Sequence, residues 1–461
     1  MKKYNIIIIT GLIIAFMNSC SKTWLDEKPS KTLAVPQTYK DYQAILNDEY
    51  TLNRGYGLSG TISMDWVYVS DNDINQLEET DLNIYRWDKN INYGPSAISR
   101  EWDGYFSIVR TANVVIDGMS NLNKQSDEAK SIIGQAHFFR ALGYYYLAQF
   151  FCKPYVEGTA NEALGLPIRT SSDVNQIEQR SKLSSVYALI LSDLNIAANN
   201  MSFDQVSLTR PNKTAAWALY AKVNLIMSRY EQAKLYADSV ISKKPDLIDF
   251  NDTKYVSHAL PYKFLSRGNG NPEVIFYSYS YSGVFESSYL GNIVQVSPEF
   301  YSTYSDNDRR KEFFYGQSAG KNNFVGTYSG DSKMFQGIAT NEIYLIRAEC
   351  NARLNNLVAA KSDLNLLLNK RFKTGTAPNI EDINSEVLLK QIIEERNKEF
   401  PRVSNIWWED LRRLNLESRF QRTLNRTVNG KQLILSPNDS RYVFPISEKE
   451  IRLTGIEQNQ R

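Results

Sequence analysis

Two stretches of this chain repeat one arrangement of small and aromatic residues, and that arrangement limits the fold more than any other feature. In TAAWALYAKVNLIMSRYEQAKLYADSVISKKP, Trp217 is followed by Ala221, then Ala233, and finally Pro245. In NEIYLIRAECNARLNNLVAAKSDLNLLLNKR, Tyr344 is followed by Ala348 and Ala360 at the same spacings. Both stretches carry apolar residues at helical period. Small residues at matched points let the two helices of a pair approach closely, while the aromatic fills the groove to the next pair. Such pairs stack, and stacking buries a core that no single pair could bury.

The first pair resembles the tetratricopeptide helix–turn–helix in period and in its terminal proline. RALGYYYLAQFF supplies a third first-helix, at the end of the long helical stretch DEAKSIIGQAHFFRALGYYYLAQFF. Its partner, LSSVYALILSDLNIAANNM, is displaced by the Gly/Pro-marked connection KPYVEGTANEALGLPIRTSSDVNQ. The expected fold class is mainly α: a tetratricopeptide-like helical-repeat scaffold with irregular loops and a few short β-strands. NPEVIFYSYSYSG alternates, placing Ile275, Tyr277, Tyr279 and Tyr281 on one strand face and Val274, Phe276, Ser278 and Ser280 on the other. KQLILSPNDSRYVFPI reads as two short strands around a Pro-Asn-Asp turn.

Met1-Lys2-Lys3 followed by an apolar run from Ile6 to Phe16 fits a secretion signal. The run is shorter than the about 20 residues of a bilayer span. With small Ser19 before Cys20, the segment resembles a bacterial lipoprotein signal whose new N-terminal cysteine is acylated. An ordinary signal peptide or a core helix would share the apolar run. The expected organisation is a signal peptide over 1–19 and one globular unit over 20–461, with an N-terminal region about 20–225 and a C-terminal region about 270–461. Two or more acyl chains on Cys20 would hold the chain stably on a membrane without spanning it.

Losing Lys2 and Lys3 takes Lys+Arg from 53 to 51, against 51 Asp+Glu. Near-neutrality argues against a general nucleic-acid binder, so no nucleic-acid partner is expected. Beyond Cys20 only Cys152 and Cys350 remain, each in an apolar context, which reads as two buried free thiols. The 29 Tyr, 20 Phe and 7 Trp are more aromatic material than a core alone asks for, so some should serve at the surface.

Catalytic chemistry is hard to build here. The chain has two histidines, His137 and His258, and no HExxH or CxxC motif. GYGLSG, from Gly55 to Gly60, matches GxGxxG but follows a helical stretch, so a mobile loop is expected instead of a dinucleotide site. DNDINQ begins like a calcium loop, yet Gln76 stands where the turn needs glycine and Leu82 where the bidentate glutamate should be. No metal or other cofactor is therefore expected, although an irregular calcium site stays open. Glu395 and Glu399 lie one helical turn apart, with Arg396, Lys398, Arg412 and Arg413 nearby in sequence. They are read as an ion-pair network tying that helix to WWEDLRR.

Six pieces in order resemble the SusD/RagB family of outer-membrane nutrient-binding lipoproteins: WLDEKP, EWDGYFSIVRTANVVIDGM, GQAHFFRALGYYYLAQFF, EIYLIRAECNARLNN, IIEERNKEFPRVSNIWWEDLRR and YVFPISEKEI. Pro401-Arg402 and Ser447 depart from the family pattern, and the usual Pro-Gly-Tyr ending is missing. The resemblance implies four tetratricopeptide-like units beneath a loop-rich binding face, and a lipid-anchored protein of the outer membrane facing the exterior. It further implies a TonB-dependent SusC-like barrel as partner, a glycan or sometimes a peptide as ligand, and no catalysis. A surface glycoside hydrolase is a competing class and would need two carboxylates about 5–10 Å apart in a cleft. A purely structural repeat adaptor is another, without a pocket ringed by aromatics.

Pyranose C–H faces are apolar, and flat rings cover them at low entropic cost while polar groups take the hydroxyls. Candidate ligand residues outside the architectural motifs are Trp66, Asp71 and Asn72, then Trp87, Asn92 and Tyr93, then the Tyr277–Tyr279–Tyr281 stripe. Packing against a neighbouring loop or helix would leave the same patterns. Trp102, Trp217, Trp407 and Trp408 sit in the architectural motifs and are expected in the core.

Overall fold

From Gly134 to Phe151 every residue of one helix is buried, so the most apolar segment of the sequence forms the centre of the molecule. A helix that is apolar all round has no solvent face and must be enclosed. Its start is set by Ser126, whose hydroxyl accepts the Ala129 N–H, with Asp127 and Glu128 in the first turn. In a computed structural model, residues 35–461 are described, apart from Pro95, Ala97, Tyr281, Ser282, Glu286, Leu290, Asp382 and Ile383.

The principal helices are α1 (Tyr39–Leu46), α2 (Arg100–Met119), α3 (Asp127–Phe151), α4 (Leu183–Asn200), α5 (Lys213–Ile226), α6 (Tyr230–Lys243), α7 (Thr340–Arg353), α8 (Leu357–Arg371), α9 (Ser385–Glu399) and α10 (Ile406–Leu414). Helices α2 to α9 form a row in which each packs on the next, as stacked helix–turn–helix units require. Ala221, Ala233, Ala348 and Ala360 are all fully buried, at the points where close approach was expected. Trp102, Trp407 and Trp408 are core residues, whereas Trp217 is half-buried and meets Phe203 edge-on at 5.1 Å. Cys152 and Cys350 are free and buried.

Among the described residues the β structure consists of six two-stranded sheets. β1 (Arg54–Gly55) pairs in parallel with β6 (Tyr279–Ser280), and β2 (Val67–Tyr68) antiparallel with β7 (Gln295–Val296). These two pairings fasten the N-terminal segment to the region between α6 and α7. β3 (Leu164–Pro167) and β4 (Arg180–Lys182) pair within the long α3–α4 connection. β5 (Val274–Phe276) pairs with β10 (Ile338–Ala339). β8 (Tyr315–Ser318) and β9 (Lys321–Phe324) make a tight hairpin, as do β11 (Leu424–Val428) and β12 (Lys431–Leu435).

Three local expectations are corrected. The alternating tyrosine stretch is not one strand: β5 is buried on both faces and β6 belongs to another sheet. KQLIL is a strand, but its partner precedes it, and Ser440–Tyr442 is a 3-10 turn. Gly55–Gly60 is no mobile loop. A Cβ on Gly57 would lie 2.0 Å from Asn405 Nδ2 and one on Gly60 2.7 Å from Asn405 Oδ1, so these glycines permit backbone to pack against α10 and the residue before it.

Candidate functional site

The tryptophans expected at the ligand are structural. Trp66 is 2 % exposed, stacked on Phe300 at 5.4 Å and edge-on to Trp407 at 5.6 Å. Trp87 is 3 % exposed; its indole N–H donates to the Ser63 carbonyl at 2.8 Å, and the Arg426 guanidinium covers its face. Tyr277 is buried as well, 2 % exposed. For all three, polar sequence neighbours disguise a core position, because the covering groups come from distant parts of the chain.

The other candidates are more accessible but scattered. Tyr93 is half-buried, and its hydroxyl donates to the Pro445 carbonyl at 2.6 Å. Exposed Asn92 caps its own turn by accepting the Gly94 N–H. Tyr279 is half-buried beneath the Lys333 ammonium at 4.6 Å. Asp71 and Asn72 are exposed, and Asp71 accepts the Asn429 N–H in the β11–β12 turn. Asp73 beside them binds Lys321 at 2.9 Å, joining this segment to the β8–β9 hairpin. Tyr281 and Cys20 lie outside the described residues.

The other side of that hairpin faces a groove of about 640 Å³ lined by His258, Tyr262, Lys263, Tyr289, Tyr301, Lys311, Glu312, Tyr315 and Gln317. Each wall is held from below. Tyr301 sits on the short helix Pro298–Ser302, whose N-cap Ser297 accepts the Phe300 N–H and donates its own N–H to the Trp66 carbonyl. Trp66 thus supports the groove without touching it. Tyr289 rides on a loop stapled by two buried amides. Asn323 accepts the Gly291 N–H and donates to the Asn292 carbonyl, while Asn292 donates to the Val284 carbonyl. His258 stacks on Phe313 at 4.8 Å. Tyr315 is buried with its hydroxyl bonded to Tyr304, so only part of its ring meets the groove.

Among the described residues, the hydroxyls of Tyr262, Tyr289 and Tyr301 have no partner within the protein. The groove therefore offers ring faces and free O–H groups together, a combination suited to a hydroxylated ligand with apolar faces. Tyr289, 42 % exposed, is the most open of these rings. Sequence reasoning missed this cluster; the cue was a tyrosine set among serines and glycines in SSYLGN.

Three further cavities are smaller. One of about 270 Å³ lies between α2 and residues 169–176, and one of about 290 Å³ between α9, α10 and Arg419–Arg422. An enclosed apolar space of about 20 Å³ beside Phe400 holds no more than one water. Glu395 and Glu399 are not a catalytic pair. Glu395 binds Arg310 at 2.6 Å and also Lys398; Glu399 binds Arg310 at 3.2 Å and Arg371 at 2.8 Å. No group of three or more His, Cys, Asp or Glu suited to a metal occurs among the described residues.

The structure defines a helical-repeat protein with a loop-borne aromatic groove, and comparison with known proteins agrees on the fold. A family model described as "Starch-binding associating with outer membrane" matches residues 23–225, and a model of the SusD family matches residues 325–460. SusD-like protein P2 of Formosa agariphila is 27% identical over 255 residues, covering 53% of this chain. SusD-like protein P25 of the same organism is 22% identical over 262 residues. The chain spans about half the length of these curated relatives, 47% of each. A SusD superfamily protein from Bacteroides thetaiotaomicron has the same fold, with TM-score 0.73 and 22% identity over 92% of this chain and 100% of that one. A SusD-like carbohydrate binding protein from Bacteroides vulgatus aligns with TM-score 0.70 and 18% identity over 91% and 97%. The chain belongs to the SusD family.

Proposed function

We propose that this protein is an outer-membrane lipoprotein, anchored through Cys20, that captures a nutrient glycan and passes it to a TonB-dependent SusC-like barrel without altering it. The observation that carries this reading is the groove of Tyr262, Tyr289 and Tyr301, with ring faces for sugar C–H surfaces and, for sugar hydroxyls, three hydroxyls without a partner among the described residues. Membership of a family whose model is described as starch-binding and associated with the outer membrane supports it. So does a solved structure of the same fold whose title names a carbohydrate binding protein.

A hydrolytic role has less support. Hydrolysis needs two carboxylates flanking the scissile bond. Among its described residues the groove lining includes one, Glu312, already engaged by Arg309 at 2.7 Å and by His258 at 3.2 Å. The test is calorimetry on the full chain with panels of oligosaccharides and of short peptides. Saturable glycan binding should weaken about tenfold or more, about 1.4 kcal/mol, in Tyr289→Ala and Tyr301→Ala variants that melt like the parent. Binding confined to peptides would assign the groove to the peptide-binding branch of the same reading and sink the glycan one.

A further inference from the structure

The groove's charges carry the reading one step further. Glu312 is committed to Arg309 and His258, so it does not offset the two lysines of the lining. Lys263 has a single long hydrogen bond to the His258 carbonyl, at 3.4 Å, and no carboxylate within ion-pair distance among the described residues. Its backbone is held at φ 65, in the left-handed region that a lysine seldom adopts. That geometry is enforced by a turn in which Lys263 donates to the Leu260 carbonyl and accepts the Ser257 N–H. A strained residue locked in place at a cavity wall is a pattern of functional sites.

Lys311 stands differently but to the same effect. Its ammonium lies over one face of the Tyr301 ring, 5.3 Å from the centre, so a ligand that reaches this ring meets the charge. Its carboxylate partner, Asp306 at 2.8 Å, has a side chain 96% exposed. An ion pair so open to water contributes little and can be exchanged for a ligand's anion. A neutral sugar has no use for two ammonium groups beside a tyrosine face, whereas a saccharide bearing anions does.

We infer that the groove selects acidic saccharides, whose carboxylate or sulfate groups are met by Lys263 and Lys311 while their rings lie on Tyr289 and Tyr301. This rests on the glycan reading above and narrows its ligand class. The acid could be a uronate or a sulfate ester, and the assay separates the two.

The experiment is calorimetry on the full chain with matched pairs: an oligogalacturonate and its methyl ester, and a sulfated galactan oligosaccharide and its desulfated form. The expected result is binding of one acidic member at least tenfold tighter than its neutral twin, weakening as salt is raised. The double variant Lys263→Gln/Lys311→Gln should erase that preference but keep residual binding to the neutral twin. Lys263→Arg, which retains the charge, should keep the preference. The arm that binds names the anion. Equal binding of the twins, or a preference that survives the double variant, overturns this inference. The glycan reading then still stands if Tyr289→Ala abolishes binding. No binding to any saccharide overturns both.

Discussion

Glu349 is fully buried on α7 and receives Arg413 in a two-pronged pair at 2.6 and 2.7 Å, with Arg353 at 2.8 Å. Burial by itself would raise its pKa, but Arg413 and Arg353 outweigh it and hold the carboxyl well below its ordinary 4.5. The folded value is the depressed one, so the stabilisation is complete above pH 4.5 and is lost as pH falls towards the folded value. Glu349→Gln leaves Arg413 with only Asp410 and Arg353 with only Glu417 as carboxylate partners among the described residues, and should cost about 3 kcal/mol at neutral pH. Urea midpoints of parent and variant, taken from pH 7 to pH 3, should converge below pH 4.5; a gap constant with pH would refute the assignment. These charges were visible in the sequence, but their pairing was not. Of the four basic residues expected near Glu395 and Glu399, Lys398 does bind Glu395, and Arg396 ties the helix to Asp410 of WWEDLRR. In the fold Arg413 serves Glu349, and Arg412 donates to the carbonyls of Gln149 and Cys152. A composition lists charges; which of them face one another depends on how helices pack.

At the scale of elements, the β8–β9 hairpin is the piece that connects the expected segment with the groove. It carries Tyr315 and Gln317 on the groove side and Lys321, bound to Asp73, at its other strand. Its two-residue turn, Ala319-Gly320, has φ values of 49 and 74, the geometry of a type I′ turn. Gly320 suits that geometry and Ala319 does not. The β11–β12 turn solves the same problem with Asn429-Gly430, at φ 49 and 74. Ala319→Asn should therefore stabilise the protein by about 1 kcal/mol, seen as a higher urea midpoint, with saccharide affinity unchanged. A variant no more stable than the parent would show that contacts with β7, not the turn, set the hairpin's stability. Helices were readable in advance because their period and caps are local. Strands of two to five residues carry too short a pattern, which is why the tyrosine stretch was read as one strand and the partner of KQLIL was misplaced.

The whole molecule joins two things that the chain keeps apart, an early segment over residues 54–68 and a groove built near residues 258–325. The β1–β6 and β2–β7 pairs and the Trp66–Phe300 stack fasten the early segment to the groove-bearing region. No helix among the described residues is long and apolar enough to cross a membrane. The anchoring proposed above, through acyl chains on Cys20, has its own test. Cys20→Ala should move the protein from the membrane fraction to the soluble one and abolish incorporation of labelled fatty acid. Unchanged fractionation would remove the lipoprotein assignment while leaving the groove intact.

By itself the sequence determined the row of helices, the family and the two buried thiols. Each rests on local period, on motif order or on the plain apolarity of a segment such as Gly134–Phe151. Which aromatics stay open to solvent was decided only by the tertiary structure. Trp87 looked exposed in a polar loop, yet Arg426, from the far end of the chain, lies against it and takes it out of solvent. Burial without a carboxylate partner pushes that guanidinium down to about 10, so it is held by carbonyls and by the faces of Tyr85 and Trp87. Tyr289, in a run no different in polarity, is left open because Asn292 and Asn323 pin its loop outward on the hairpin. Exposure belongs to whatever lies across from a side chain, and that neighbour is chosen when the chain folds.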